Sequence, residues 1–417
     1  MHHFQYQQNE LYCESIPLTQ LAEQVGTPCY VYSYATLRHH FEVFDEAFTD
    51  VPHLTCFAAK ANSNLAILKL FGSLGGGVDI VSGGELFRAR SAGIPADRIV
   101  YSGVGKTQGE IDYALNEDIL LFNIESSQEL EAIDKRAAQL GRKARIALRV
   151  NPDVDPKTHP YISTGMKKNK FGIDIEGALK EYERAKNLGN VEIVGIDCHV
   201  GSQLTEITPF VDALKRLCLL IRRLKDLGID IQYLDIGGGL GITYDQEAPP
   251  HPREYAQAIL QELEGLSCTL IFEPGRVIVG NAGILVTQVL YTKKTPSKNF
   301  VVIDAAMNDL LRPSLYGSYH HVQPLRQMDH GSEIVDVVGP ICESSDFLAK
   351  DRSLPAVQSG DYLAVMSAGA YGFTMSSNYN SRPRAAEILV KEDRFYVIRE
   401  RETWQDLINH ERIPDFL

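Results

Sequence analysis

The sequence is short of positive charge: 41 lysines and arginines face 54 aspartates and glutamates, a net charge of −13 over 417 residues. So acidic a surface repels phosphates and argues against a nucleic-acid partner, while leaving room for a local cationic pocket. Paired cysteines are also missing. Cys13, Cys29, Cys56, Cys198, Cys218, Cys268 and Cys342 are scattered, odd in number and never in a C-x-x-C pair. Neither a disulfide framework nor a structural zinc site is indicated. His2-His3, His39-His40 and His320-His321 are adjacent pairs, not the helical i, i+4 spacing of zinc enzymes, and no metal ligand set is assigned. The opening MHHFQYQQNE has no apolar core, and no run approaches the length of a membrane span. Internal repeats and low-complexity tracts are absent as well. These absences fit a protein of the reducing cytoplasm without a membrane role.

What is present is an ordinary globular balance, 44% apolar and 23% charged, in a chain long enough for two domains. Between about residues 30 and 276, short apolar runs alternate with helical patterns such as 85–92 and 210–227. The runs end at Lys60, Ser82, Ser102, Asn123, Asn151, His199, Gly237 and Glu273. Eight Val- and Ile-rich runs alternating with helices imply a parallel sheet closed as a TIM-type (β/α)8 barrel. Strand ends converge on one face of such a barrel, so eight polar or glycine endings mark a reactive face. Past Arg276 the texture changes: 284–292, 300–305, 334–338 and 362–367 are strand-like without long helices between them. Residues 386–390 and 394–398 flank Lys391-Glu392-Asp393 as a hairpin. The expectation is a barrel over 36–280, with 281–417 forming an all-β sandwich or barrel domain completed by 1–35.

Several of those endings carry chemistry. A lysine closing an apolar run is costly to bury unless paired or neutralised, and a desolvated lysine is a nucleophile for Schiff-base chemistry. The blander reading of Lys60 is a side chain reaching out to water. In Asp235-Ile236-Gly237-Gly238-Gly239-Leu240-Gly241 the backbone N–H groups are open to a phosphate, although a tight turn would also use these glycines. The dinucleotide pattern G-x-G-x-x-G fails at Ile242. His199-Val200-Gly201-Ser202-Gln203 supplies a ring and a hydroxyl. Glu273-Pro274-Gly275-Arg276 ends the last run with opposite charges; it is either a loop ion pair or a carboxylate that keeps a pyridine nitrogen protonated. Lysine, phosphate loop, ring-facing histidine and carboxylate are together the parts that pyridoxal 5′-phosphate (PLP) needs.

At this point the sequence resembles the fold-type III PLP-dependent decarboxylases, most closely the diaminopimelate decarboxylases, over essentially its whole length. The motifs that carry the resemblance are Phe57-Ala58-Ala59-Lys60-Ala61-Asn62, His159-Pro160-Tyr161-Ile162-Ser163-Thr164-Gly165, residues 199–203 and residues 273–276. Arg312-Pro313-Ser314-Leu315-Tyr316, Cys342-Glu343-Ser344-Ser345-Asp346 and Gly369-Ala370-Tyr371-Gly372 complete the set, in order.

The resemblance implies that meso-2,6-diaminopimelate is decarboxylated to L-lysine and CO2 through PLP aldimine and quinonoid intermediates. Lys60 would form the internal aldimine, His199 would stack on the ring and Glu273 would pair with the pyridine nitrogen. Ser202, Gly237, Gly238, Gly239 and Tyr371 would hold the phosphate, with Pro274, Gly275 and Arg276 nearby. Arg276, Arg312, Tyr316, Glu343 and Tyr371 would bind substrate, and Cys342 would return the proton after CO2 leaves. Cys342 and Glu343 would enter the active site of a second copy, which implies a homodimer with shared sites. Arginines and a glutamate suit a substrate with a distal carboxylate and ammonium, whereas ornithine would leave Arg312 without a partner. By themselves, a free cysteine is most often inert core, Arg312 a surface charge, and Tyr316 and Tyr371 packing aromatics. The long segment 153–172, with Lys167, Lys168 and Lys170, is expected to be a lid. Other readings are a decarboxylase for carboxynorspermidine, ornithine or arginine, a non-catalytic PLP-binding protein, or a racemase with a second base in place of Cys342.

Overall fold

A computed structural model describes residues 2–155, 170–327 and 331–417. The chain divides into two compact units, one made of 40–243 with 247–278, the other of 1–39, 244–246 and 279–417.

The first unit is the eight-stranded parallel barrel anticipated from the alternation. Its strands are β1 His53–Ala58, β2 Gly77–Ile80, β3 Ile99–Tyr101, β4 Leu121–Ile124, β5 Ala144–Asn151, β6 Val191–Asp197, β7 Tyr233–Asp235 and β8 Thr269–Phe272. Each pairs in parallel with the next, and β8 pairs with β1 to close the ring. Every residue of β2, β3 and β4 is buried, the pattern of strands covered on both faces. Cys56, Val100, Leu121, Ala147, Val194 and Ile271 pack into one apolar cluster.

Helices follow the strands, and their starts are written locally. Asn64, Ser82, Thr107 and Ser126 each accept a backbone N–H of the first helical turn, and Thr107 with Glu110 forms a full capping box. These caps correct the strand endings read from sequence. Ser82 is a helix cap, and Lys60 lies two residues beyond β1 in a turn closed by Ala61 N–H to Ala58 O. The Ala59 N–H still reaches Asp79 O, so the ladder carries the chain straight to the lysine.

The second unit is a β structure drawn from both ends of the chain. Gly283–Lys294 pairs with Cys29–Ser33, Asn299–Ile303 and Tyr362–Val365, and Cys29–Ser33 pairs in parallel with Ala386–Lys391. The N-terminal segment thus completes the sheet. Ala386–Lys391 and Arg394–Arg399 form the anticipated hairpin around Glu392 and Asp393, with Glu392 at φ 55°. Leu11, Val31, Ile284, Val286, Ile388 and Val390 belong to its core. Among the described residues, no helix is long and apolar enough to cross a membrane.

Candidate active site

The barrel unit brings Lys60, His199, Ser202, Gly237, Gly238, Gly239, Glu273, Pro274, Gly275 and Arg276 to the ends of its strands. Lys60 is not simply reaching for water. Its Nζ lies 2.6 Å from Oδ2 of Asp79, a carboxylate with a fully buried side chain, while a third of the lysine side chain stays accessible. A buried anion holds the amine at the mouth of the barrel, and the exposed remainder is open to a reactant.

His199 Nδ1 accepts the Gly238 N–H at 3.1 Å, which fixes the neutral ring with its proton on Nε2. Burial, then the nearby charges of Arg149 and Lys60, hold its pKa well below the usual imidazole value. The glycines beside it are required by space. A Cβ on Gly238 would sit 2.2 Å from Glu273 O, and one on Gly239 would sit 2.4 Å from Gly201 O. Gly237 and Gly239 also adopt φ of 70° and 116°. Arg276, at the start of the short helix Arg276–Val279, donates from Nη2 to Ser202 Oγ at 3.1 Å. Pro274 O accepts the Ala58 N–H at 3.0 Å, and Gly275 leaves no room for a side chain against Ala58 and Ala61.

Glu273 is buried and accepts hydrogen bonds from Ser102 Oγ at 3.0 Å and Asn123 Nδ2 at 3.4 Å. Burial, then the Asp79 charge, pushes its carboxyl up to about 7, with Lys60 and Arg149 opposing. A carboxylate so poised is ready to bind a protonated ring nitrogen, which would draw it to the ionised form.

Sequence reasoning named Asn123 as a strand ending but missed the rest of the polar floor under these groups. Asp79, Asn123, Arg149, Asp197 and Asp235 are all buried. Arg149 pairs with Glu125 at 2.7 Å, and Asp235 accepts from Gly237 N–H at 2.9 Å and Asn123 Nδ2 at 3.1 Å. The signal was a carboxylate inside an apolar run: Val78-Asp79-Ile80, Ile196-Asp197-Cys198 and Leu234-Asp235-Ile236.

The remaining sites suggested by sequence belong to the β unit. Arg312 is buried, donates to Ser318 Oγ at 3.3 Å and stands over the rings of Tyr244 and Tyr316 at 5.3 and 5.9 Å. Cys342 and Glu343 are exposed. The Cys342 N–H donates to Asn380 Oδ1 at 2.9 Å, and the Glu343 carboxylate accepts from Tyr379 at 2.6 Å and from Ser345. Tyr371 is half-buried at φ 55°. The motif 159–165, with Lys167 and Lys168 of the expected lid, lies outside the described residues.

The donor set of the barrel unit fits PLP: an amine on a buried counter-ion, a glycine turn without room for Cβ atoms, a neutral ring and a poised buried carboxyl. Residues 34–280 match the family described as pyridoxal-dependent decarboxylase, pyridoxal binding domain. The chain is 53% identical over 407 residues to the diaminopimelate decarboxylase of Aquifex aeolicus, covering 97% of this chain and 96% of that one. It is 54% identical to that of Vibrio cholerae, covering 98% of each. The diaminopimelate decarboxylase of M. jannaschii, solved in complex with L-lysine, superposes with a TM-score of 0.95 at 40% identity over the whole of both chains. On these grounds the chain belongs to the diaminopimelate decarboxylases, within the pyridoxal-dependent decarboxylases.

Proposed function

We propose that this protein removes the carboxylate from the D-centre of meso-diaminopimelate, giving L-lysine and CO2 with PLP as cofactor. The observation that carries the reading is the Lys60 amine, held 2.6 Å from buried Asp79 within electrostatic reach of both His199 and Glu273. PLP, when bound, supplies an electron sink for the breaking carbon–carbon bond.

The protein's own residues do the rest. Lys60 presents the amine that anchors the cofactor aldehyde, and Asp79 fixes where that amine points. His199, neutral and oriented by Gly238, offers a flat face to the ring. Gly239 and Ser202 would receive the phosphate on a backbone N–H and a hydroxyl, with Arg276 adding charge, while Gly237 and Gly238 shape the turn and spend their own N–H groups on Asp235 and His199. Glu273 would pair with the ring nitrogen and hold it protonated. Arg312, over the rings of Tyr244 and Tyr316, recognises the distal carboxylate, with Arg276 and Tyr371 as further contacts. Glu343 takes the distal ammonium and Cys342 returns the proton; both lie exposed, as groups lent to a second copy would. A homodimer with shared sites follows from that assignment, and the seven free cysteines fit a reducing cytoplasm.

CO2 release with added PLP tests the substrate. Turnover of meso-diaminopimelate should exceed that of ornithine, arginine and carboxynorspermidine; preference for any of these three overturns the assignment. Mixing inactive Lys60→Ala and Cys342→Ala proteins should restore activity if sites are shared between copies. No recovery, under conditions where the subunits exchange, would remove the partner's role.

A further inference from the structure

Beneath the groups assigned to the cofactor lies a layer of carboxylates that the mechanism does not use. Oxygens of Asp197, Asp235 and Glu273, at the ends of β6 and β7 and just past β8, lie within 4.8 Å of one another, and all three residues are buried. The charges around them do not balance. Among the described residues, the cations facing the layer are Lys60 and Arg149, and each has a nearer anion, Asp79 at 2.6 Å and Glu125 at 2.7 Å. His199 is held neutral by the Gly238 N–H. The thiols of Cys56 and Cys198 and the hydroxyl of Tyr255, which also feel this layer, keep their protons under burial. Three buried carboxylates within 4.8 Å of one another, facing two cations that each hold a nearer anion, cannot all stay ionised.

The hydrogen bonds distinguish the three. Glu273 accepts from Ser102 and Asn123, and Asp235 from Gly237 and Asn123. Among the described residues, Asp197 has no comparable donor: its Oδ2 reaches Arg149 Nε only at 3.8 Å, and its Oδ1 is buried without a hydrogen-bond partner there, as is Oδ1 of Asn123. A buried, donor-poor carboxylate is the costly form, whereas a carboxylic acid has a hydrogen to give. A hard cation would ask for six or more oxygens and would compete with Arg149 for the same space.

We infer that Asp197 is a positioning residue whose carboxyl holds a proton beneath the cofactor site, so that Glu273 is free to be the anion facing the ring nitrogen. The inference rests on the role proposed above for Glu273. Burial and the Glu273 charge, which hold Asp197 well above the ordinary carboxylate range, act in the same direction.

Infrared difference spectroscopy on the PLP-loaded protein tests it directly. Asp197→Asn has the shape and neutrality of the acid and should fold and keep PLP with affinity within about threefold of the parent at neutral pH. The parent-minus-variant spectrum should contain the carbonyl band of a protonated carboxylic acid, shifted in D2O, and Asp235→Asn should retain that band. A difference spectrum holding only ionised-carboxylate bands would show Asp197 charged and overturn the inference. A loss of PLP affinity beyond about tenfold, roughly 1.4 kcal/mol, would do the same, since an amide replaces a neutral acid at little cost. Glu273→Gln separates the two readings. If it leaves cofactor affinity and visible absorbance unchanged, the role of Glu273 falls, whatever the infrared spectrum says of Asp197.

Discussion

At the scale of single residues, the proposed function turns on a few groups whose surroundings contradict their chemistry in water. Lys60→Ala should abolish the visible absorbance of bound PLP as well as turnover; a variant that kept that band would place the anchoring amine elsewhere. Cys342→Ala should hold PLP normally yet turn over at least about a hundredfold more slowly, the usual worth of a positioned proton donor. Full activity would take the thiol out of the reaction. Lys60, His199 and Glu273 were legible in the sequence because each stands where an apolar run stops. Asp79, Asp197 and Asp235 were passed over because each sits within such a run, where one polar letter is easily absorbed into the strand. Yet a carboxylate flanked by Val, Ile or Leu in a strand buried on both faces has to find a cation or a proton. Asp79 finds Lys60. Nothing in the letters says which solution a given aspartate takes, because the partner comes from a different strand.

Among the elements, the βα connections show how tightly backbone room is allotted. Gly238→Ala would drive a Cβ to 2.2 Å from a carbonyl oxygen that cannot swing aside. It should cost about 1–3 kcal/mol of stability, as overpacking does, and weaken PLP binding with it. Gly109 makes the contrast. It lies in the helix Gln108–Glu117, and a Cβ there meets nothing within 4 Å, so Gly109→Ala should be neutral or stabilising by up to about 1 kcal/mol. Chemical denaturation of the two variants decides the matter; equal stabilities would mean the turn has slack that the geometry denies. The barrel was readable as a whole because its strands are continuous apolar runs and its helices open on Asn64, Ser82, Thr107 and Ser126. The β unit was only partly so. Phe347–Pro355, with Lys350, Asp351 and Arg352 in its middle, does not read as a strand; it is held by pairing with Ser332–Val338 across two register shifts. Cys29–Ser33 is fully buried because it lies between Gly283–Lys294 and Ala386–Lys391, neighbours more than 250 residues away in sequence, a distance no local pattern spans.

For the whole molecule, the buried acids set how stability responds to pH. Glu85, Glu273 and Asp309 are each pushed up to about 7, mainly by burial, and Asp197 and Asp235 are raised as well. In the unfolded chain such groups release their protons near pH 4. Between about pH 4 and 7 the folded state therefore binds more protons, and stability declines as pH rises through that window. His199 and His321 oppose this, since their pKa values are lowered on folding and the stability they confer is lost as pH falls below about 6.5. His2 is lowered too, but Glu129 and Asp346 join the raised acids, so three histidines stand against seven carboxyls and the acids dominate; the net charge of −13 adds repulsion in the same direction. Before PLP is added, the protein should thus melt several degrees lower at about pH 8.5 than at about pH 6, given that about 1 kcal/mol moves Tm by roughly 2–4 °C for domains of this size. Asp197→Asn, neutral at every pH, should shrink that difference by raising the alkaline Tm more than the acidic one. A Tm that climbs between these two pH values would mean that the buried acids ionise freely on folding, and that the barrel floor carries cations beyond Lys60 and Arg149.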